Sequence, residues 1–406
     1  MAVEIRLIEE SEFDAVYDCA LQTFGVPKSD EDRADTRQWI ELDRTVAAFD
    51  GDEVVATSGV VSLPIIVPGG EVVPAAAVTL VTTSPTHRRQ GLMTRGMVAL
   101  MDQAVERDEP LATLWASESS IYGNIGFGAA IDGADLEIAP HQAALRSDAP
   151  IGSGTVRLYG SEQASAIVPE IYARVSAGIP GTMIRRQSDW DHIFKDVGAK
   201  RDGKTVMRYA VYEQDGLARG YARFRNTEHW RDMHAEGEVE LFELHAADAV
   251  AQAELWRFIA SIDLISKIKV RRARSHSRIA TLLEDPRRLR STAGESIWLR
   301  LLDAPAALAA RRYSVPGELV IEIDDPMGYA AGRFALSGGP DGATASSTTS
   351  EADIRLSAES IGSAYLGAPR IAELAWAGRV EGDDEAVALL DLMMRWPVEP
   401  HCVVHF

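Results

Sequence analysis

Residues 78–96 read VTLVTTSPTHRRQGLMTRG. The opening is apolar and β-branched like a buried strand, Pro85 ends it, and a helical pattern opens at Gly91. A helix that starts just after a strand leaves its first N–H groups without intrahelical acceptors, and the aligned peptide dipoles favour negative charge there. Arg88 and Arg89 add guanidinium donors suited to phosphate. Gly91 lets a phosphate approach the backbone. The stretch predicts a cradle for a pyrophosphate.

The surrounding chain has the periodicities of a mixed α/β layer. SEFDAVYDCALQTFG (11–25) is helical, RTVAAFDGDEVVATSGVVSLPIIVPG (44–69) reads as strands joined at Asp50-Gly51, and LATLWAS (111–117) is a strand following the helix that opens at Gly91. Pro150, Gly152 and Gly154 mark a boundary. Beyond it the order repeats: a hairpin turning at Asp215-Gly216, the strand EVELFELHA (238–246), then a helix from Asp248. Here the strand-to-helix junction, LHAADAVA, has no glycine, so this second unit reads as a degenerate copy. A third unit begins near Ser296. Its stretch 335–357, rich in Gly, Ser and Thr, reads as a mobile hairpin loop between strands, its helix DEAVALLDLMMRW is capped by Asp383 or Asp384, and the chain ends in a strand-like segment. The division expected is 1–148, 149–295 and 296–406.

Composition narrows the class. At about 150 residues per domain, 406 residues make two or three domains. The chain is 46% hydrophobic and 25% charged, and no apolar run reaches the roughly 18 residues a membrane span needs. MAVEIRLIEE lacks the pattern of a secretory signal, so a cytoplasmic protein is expected. Two cysteines, Cys19 and Cys402, are too few for a disulfide framework and wrongly spaced for zinc, and no metal is expected. A formal charge of -20 opposes nucleic-acid and anionic-membrane binding and favours a cationic small-molecule partner. The basic run SKIKVRRARSHSR (266–278) lacks the interleaved aromatics that stack bases and reads as a strand entering a solvated loop.

Thirty-one residues after Gly91 comes Tyr122, in SESSIYGNIGFGAA (117–130), with Gly126 and Phe127 behind it. Arg88-Arg89-Gln90-Gly91-Leu92-Met93 resembles motif A of the GNAT superfamily of acyl-CoA-dependent N-acyltransferases, with Met93 where that pattern has a small residue. Tyr122-x-x-x-Gly126-Phe127 is similar to the superfamily's tyrosine motif. EADIRLSAESIGSAYLG (351–367) resembles sterol carrier protein, and with the paired units and a final Phe the whole chain resembles the Eis (enhanced intracellular survival) acetyltransferases.

The resemblance implies two tandem GNAT-like units plus a sterol-carrier-like α/β unit, acetyl-CoA as donor, acetylation of aminoglycoside amines at several positions, and a homohexamer. It places the pantetheine arm on Val81, Thr82 and Thr83, the pyrophosphate on Arg88, Arg89, Gln90, Gly91, Leu92, Met93 and Thr94, and the acyl end between Ser117 and Glu118. It makes Tyr122 the proton donor to the leaving thiolate and the α-carboxylate of Phe406, in EPHCVVHF (399–406), the proton acceptor. An aliphatic ammonium near pKa 10 must lose a proton before it attacks, and each such transfer contributes roughly 10²- to 10⁴-fold. Backbone N–H groups near Val81 would polarise the thioester carbonyl. Neither cysteine has a placed partner, so direct transfer is expected.

Phe24 and Trp39 are candidates for the walls of the amine site, and Asp30, Glu31, Asp32 and Asp35 for drawing in a polycation. Aromatics at helical spacing are more often core, and acidic runs more often solvated. The alternatives are transfer of a longer acyl chain, as in the N-myristoyltransferases, and a lipid-binding or regulatory protein built on the third unit.

Overall fold

The computed structural model describes residues 3–406. Two compact units form, and neither is a continuous piece of chain. One contains residues up to Ile131, Gly178–Ile184 and Glu295–Phe406, and the other Asp132–Ala177 with Arg185–Gly294. The division expected at 148/149 and 295/296 therefore differs from the folded one, because strands are exchanged between sheets.

In the first unit a seven-stranded sheet has the order Glu4–Leu7, Thr45–Asp50, Glu53–Ser62, Ala75–Thr83, Leu111–Trp115, Ile297–Leu301, Gly128–Ala129. Ala75–Val78 pairs with Leu111–Leu114 in parallel, and the other pairings are antiparallel. The helix Leu92–Glu106 crosses between the parallel strands, as a parallel pair requires. It buries Leu92, Gly96, Met97, Leu100, Met101 and Ala104, a stripe at helical spacing, against Val46, Val60, Ala76, Val78 and Leu114. Gly96 permits the close approach, since a Cβ there would lie 2.8 Å from Ser58 Oγ.

The same unit holds a five-stranded sheet, ordered Gly342–Ser347, Gly332–Gly339, Gly317–Asp324, Ile354–Ser357, Val380–Gly382. The stretch read as a mobile loop is thus largely a paired hairpin, because its small residues occupy edge-strand positions opposite Phe334–Gly339. Asp383 caps the helix Asp384–Met394, accepting from the Ala386 N–H at 2.7 Å. One apolar cluster runs from Val61, Ala75 and Leu299 through Tyr313, Ile321, Tyr365 and Met393, so the two sheets share a core. The last residues form no ladder. His401 N–H donates to the Pro180 carbonyl at 2.8 Å, Cys402 and Val404 are buried, and the segment is an anchored coil instead of a strand.

The second unit repeats the first layout. Its sheet has the order Thr155–Tyr159, Arg208–Gln214, Leu217–Thr227, Gly237–Ala246, Ile265–Arg274, Asp132–Ile138, Arg290–Glu295, and Gly237–Leu241 pairs in parallel with Ile265–Val270. The basic run lies largely within a strand. Arg271 bonds Glu240 at 2.6 Å and Lys269 bonds Glu238 at 2.6 Å, so part of its charge is neutralised by the neighbouring strand.

Candidate active site

The strand Ala75–Thr83 outruns its parallel ladder, which stops at Val78 opposite Leu114. On its other side the register shifts between Thr57↔Thr82 and Gly59↔Thr79, so Leu80 and Val81 oppose Ser58 alone. This is a β-bulge, and Leu80 takes a positive φ of 52° within it. Thr57 Oγ1 secures the distortion, donating to the Leu80 carbonyl at 2.6 Å while lying 2.7 Å from Thr82 Oγ1. Beyond the bulge the strand diverges from Leu111–Trp115, freeing backbone groups at Val81–Thr83 on the side facing Ser117 and Glu118.

A cleft of about 500 Å³ occupies this divergence, within the roughly 300–1,000 Å³ typical of small-molecule sites. Val81, Thr82, Thr83, Arg88, Arg89, Gly91, Leu92, Met93, Thr94, Ser117, Glu118 and Tyr122 line it, and Phe24 stands at its wall. Of the other residues expected there, Gln90, Trp39 and Phe406 do not line the cleft. Trp39 and Phe406 instead pack, half-buried, against the shared core. Thr23, His87 and Ile121 line the cleft without having been singled out, though each adjoins or lies within a stretch the sequence marks.

At one end of the cleft, Arg89 and Gly91 have φ of 62° and 72°. Gly91 is the N-cap of Leu92–Glu106 and has no side chain to accept from the first-turn amides. A Cβ at Gly91 would meet nothing within 4 Å, so the helix end is open. Arg88 and Arg89 have no hydrogen-bond or ion-pair partner among the described residues. Open amides, a dipole end and two cations fit a diphosphate. In the second unit the matching junction is only two residues long. There Asp248 accepts from the Ala251 N–H at 2.9 Å and pairs with Arg219, so a fixed carboxylate occupies the position an anion would need.

At the other end, Tyr122 sits in the short helix Ser119–Gly123, buried among Met97, Leu114, Ile125 and Phe127. Burial raises its phenol pKa, a hydrogen bond with Ser117 works against that, and the Glu118 carboxylate adds to it. The phenol is therefore protonated throughout the neutral range.

Acidic residues on Asp30–Trp39 divide by face. Asp30 and Glu31 are exposed, whereas Asp32 and Asp35 are buried, with Asp32 accepting from the Tyr17 hydroxyl at 2.7 Å. Cys19 is half-buried and Cys402 buried. Among the described residues no group of His, Cys, Asp and Glu is arranged to hold a metal, and no helix is long and apolar enough to cross a membrane.

Strand divergence, an open glycine-capped helix and a tyrosine loop after the next strand define an acyltransferase site of the GNAT class, and family models agree. An acetyltransferase (GNAT) domain matches residues 4–130, a second matches 181–301, and a sterol carrier protein domain matches 304–403. An uncharacterized N-acetyltransferase of Streptomyces avermitilis is 36% identical over 385 residues, covering 94% of this chain and 93% of its own. The N-acetyltransferase Eis of Mycobacterium tuberculosis is 33% identical over 341 residues, 82% of this chain and 81% of its own. The crystal structure of Eis1 from Mycobacterium abscessus superposes with a TM-score of 0.85 at 27% identity, covering 99% of this chain and 100% of its own. A GCN5-related N-acetyltransferase from Anabaena variabilis, at 18% identity and TM-score 0.87, shares the fold. The chain belongs to the Eis family of N-acetyltransferases.

Proposed function

We propose that the protein transfers acetyl from acetyl-CoA directly to amines of a polycationic small molecule such as an aminoglycoside, at more than one position where the substrate offers several. The observation that carries this reading is the cleft at the strand divergence, with free arginines and open amides at one end and Tyr122 at the other.

Acetyl-CoA, when bound, supplies an activated acyl carbon and a thiolate leaving group. Arg88, Arg89 and the amides of Gly91–Thr94 would hold its diphosphate, and Val81–Thr83 would pair with its amide arm. A backbone N–H near Val81 would donate to the thioester oxygen as charge develops there. Tyr122 would pass its hydroxyl proton to the departing sulfur. Where intact mass shows the chain to end at Phe406, its α-carboxylate is the proposed acceptor of the ammonium proton, with Glu118, which lines the cleft, the side-chain alternative.

A charge of -20, with Asp30 and Glu31 exposed six and seven residues after the cleft residue Phe24, supports a cationic substrate. The hexamer is proposed by kinship and is checked by sedimentation. The decisive experiment incubates the protein with acetyl-CoA and a panel of aminoglycosides, polyamines and simple amines, follows thiol release, and counts acetyl groups by mass spectrometry. Multiple acetylation of aminoglycosides is expected. Thiol release with none of the polycations above background would overturn the substrate assignment while leaving acetyl transfer standing.

A further inference from the structure

Arg300 lies on Ile297–Leu301, the strand that the C-terminal part of the chain inserts into the first sheet between Leu111–Trp115 and Gly128–Ala129. Its side chain is fully buried, and so is that of Asp325, which it meets at 2.6 Å. Asp325 is itself held, accepting from the Ala330 N–H at 2.9 Å and the Met327 N–H at 3.0 Å. Burying an ion pair has a desolvation cost that its attraction often fails to offset, so a pair kept at this depth calls for a role beyond stability.

The second arm of the guanidinium indicates that role. Nη1 donates to the carbonyl of Ile125, three residues after Tyr122. The turn between them is tight: the N–H groups of Ile125 and Phe127 both donate to the Tyr122 carbonyl, at 3.2 and 3.1 Å. Gly126 has φ of 82°, and a Cβ there would collide with Arg300 Nη1. The glycine of the tyrosine motif is thus shaped to admit this arginine.

Arg300 also lies 5.1 Å over the ring of Tyr329, whose hydroxyl donates to Asp102 Oδ1 at 2.6 Å on the helix that begins at Gly91. One buried group therefore ties the tyrosine loop to the helix whose open end faces the diphosphate site.

We infer that Arg300, fixed by Asp325, is a positioning residue that holds the Tyr122 loop in register with the cofactor helix, and that bracing this loop is a task of the C-terminal part of the chain. The inference rests on Tyr122 being the proton donor.

The test is Arg300→Lys, in which one ammonium keeps the pair with Asp325 but cannot also span to Ile125, and Arg300→Met with Asp325→Leu, which removes both charges together. Each is made with Tyr122 intact and with Tyr122→Phe, and acetyl-CoA affinity is measured by calorimetry. Expected is a loss of kcat of about tenfold to a hundredfold with acetyl-CoA affinity nearly unchanged, and little further loss in the Tyr122→Phe background. An equal loss in both backgrounds, or a loss confined to affinity or folding, would overturn the inference. Should Tyr122→Phe alone be fully active, the proton-donor assignment fails first and is seen to fail independently. In the unaltered protein the amides of Ile125 and Phe127 should exchange as slowly as those of Leu111–Trp115, and rapid exchange would count against a braced loop.

Discussion

The indole Nε1 of Trp115 donates to the backbone carbonyl of Val404 at 3.0 Å, across 289 residues of sequence. The His405 ring packs on the same indole, centroids 5.1 Å apart. Trp115 ends the strand that leads into Ser117 and Glu118, so Val404 and His405 are moored near the Ser117 and Glu118 end of the cleft. Trp115→Phe keeps an aromatic surface and loses the donor. It should lower kcat about tenfold with little change in acetyl-CoA affinity, and it should remain folded in a thermal melt, since one hydrogen bond is worth about 1 kcal/mol.

Appending a few residues after Phe406 tests the terminal acceptor directly. The extension moves the charge without altering any side chain, so turnover should fall about a hundredfold or more while binding of acetyl-CoA persists. A folded, extended protein with native turnover would transfer the role to Glu118 or to water.

At Gly91 the backbone φ of 72° disfavours any side chain, and a β-branched one most. Gly91→Val should tilt the first-turn amides of Leu92–Glu106 away from the diphosphate. A weakening of acetyl-CoA binding by about tenfold or more, read by calorimetry, is expected with the fold retained.

Tyr122→Phe should reduce kcat by roughly 10²- to 10⁴-fold with cofactor affinity preserved. Because burial raises the phenol pKa, the hydroxyl stays protonated as pH rises through the neutral range, and no alkaline loss of activity assignable to Tyr122 should occur below about pH 10. A kcat profile from pH 6 to 10 on wild type and variant checks this.

In the second unit His245 is buried, stacked on Tyr221, and its Nδ1 lies 3.2 Å from Ser176 Oγ. Burial lowers its pKa to about 4, against which Glu243 pulls upward. With an ordinary histidine pKa near 6.5, the unfolded chain binds a proton that the native state refuses between about pH 6.5 and 4, so stability falls as pH falls through that window, by an amount on the order of 2–3 kcal/mol. Melting curves between pH 7 and 4 should show the decline, and His245→Phe should flatten it.

Several features were legible because they are local. Strand, loop and glycine-capped helix are contiguous at 78–96, so the anion site follows from the order of a few residues whose backbone chemistry needs no partner from afar. Tyr122 was legible for the same reason, its loop being closed by Gly126 four residues on. Asp50-Gly51 and Asp215-Gly216 announced their hairpins because two-residue turns demand positive φ, which Gly51, Asp215 and Gly216 take.

What the sequence could not determine is decided by pairing at long range. Ile297–Leu301 is a buried, largely apolar strand and Asp132–Ile138 an alternating one with Ala134, Leu136 and Ile138 inward, and nothing within them says which sheet they join; that is settled by which edge buries them best, a property of the assembled layers. From that choice follow Arg300 against the Tyr122 loop and Trp115 against Val404. The helix Asp30–Trp39 shows the same division on a small scale. Its acidic composition is plain in the chain, yet Asp32 and Asp35 turn inward while Asp30 and Glu31 face water. A hydroxyl from Tyr17 satisfies Asp32 inside, and the energy of a buried carboxylate is set by partners that only folding brings within reach.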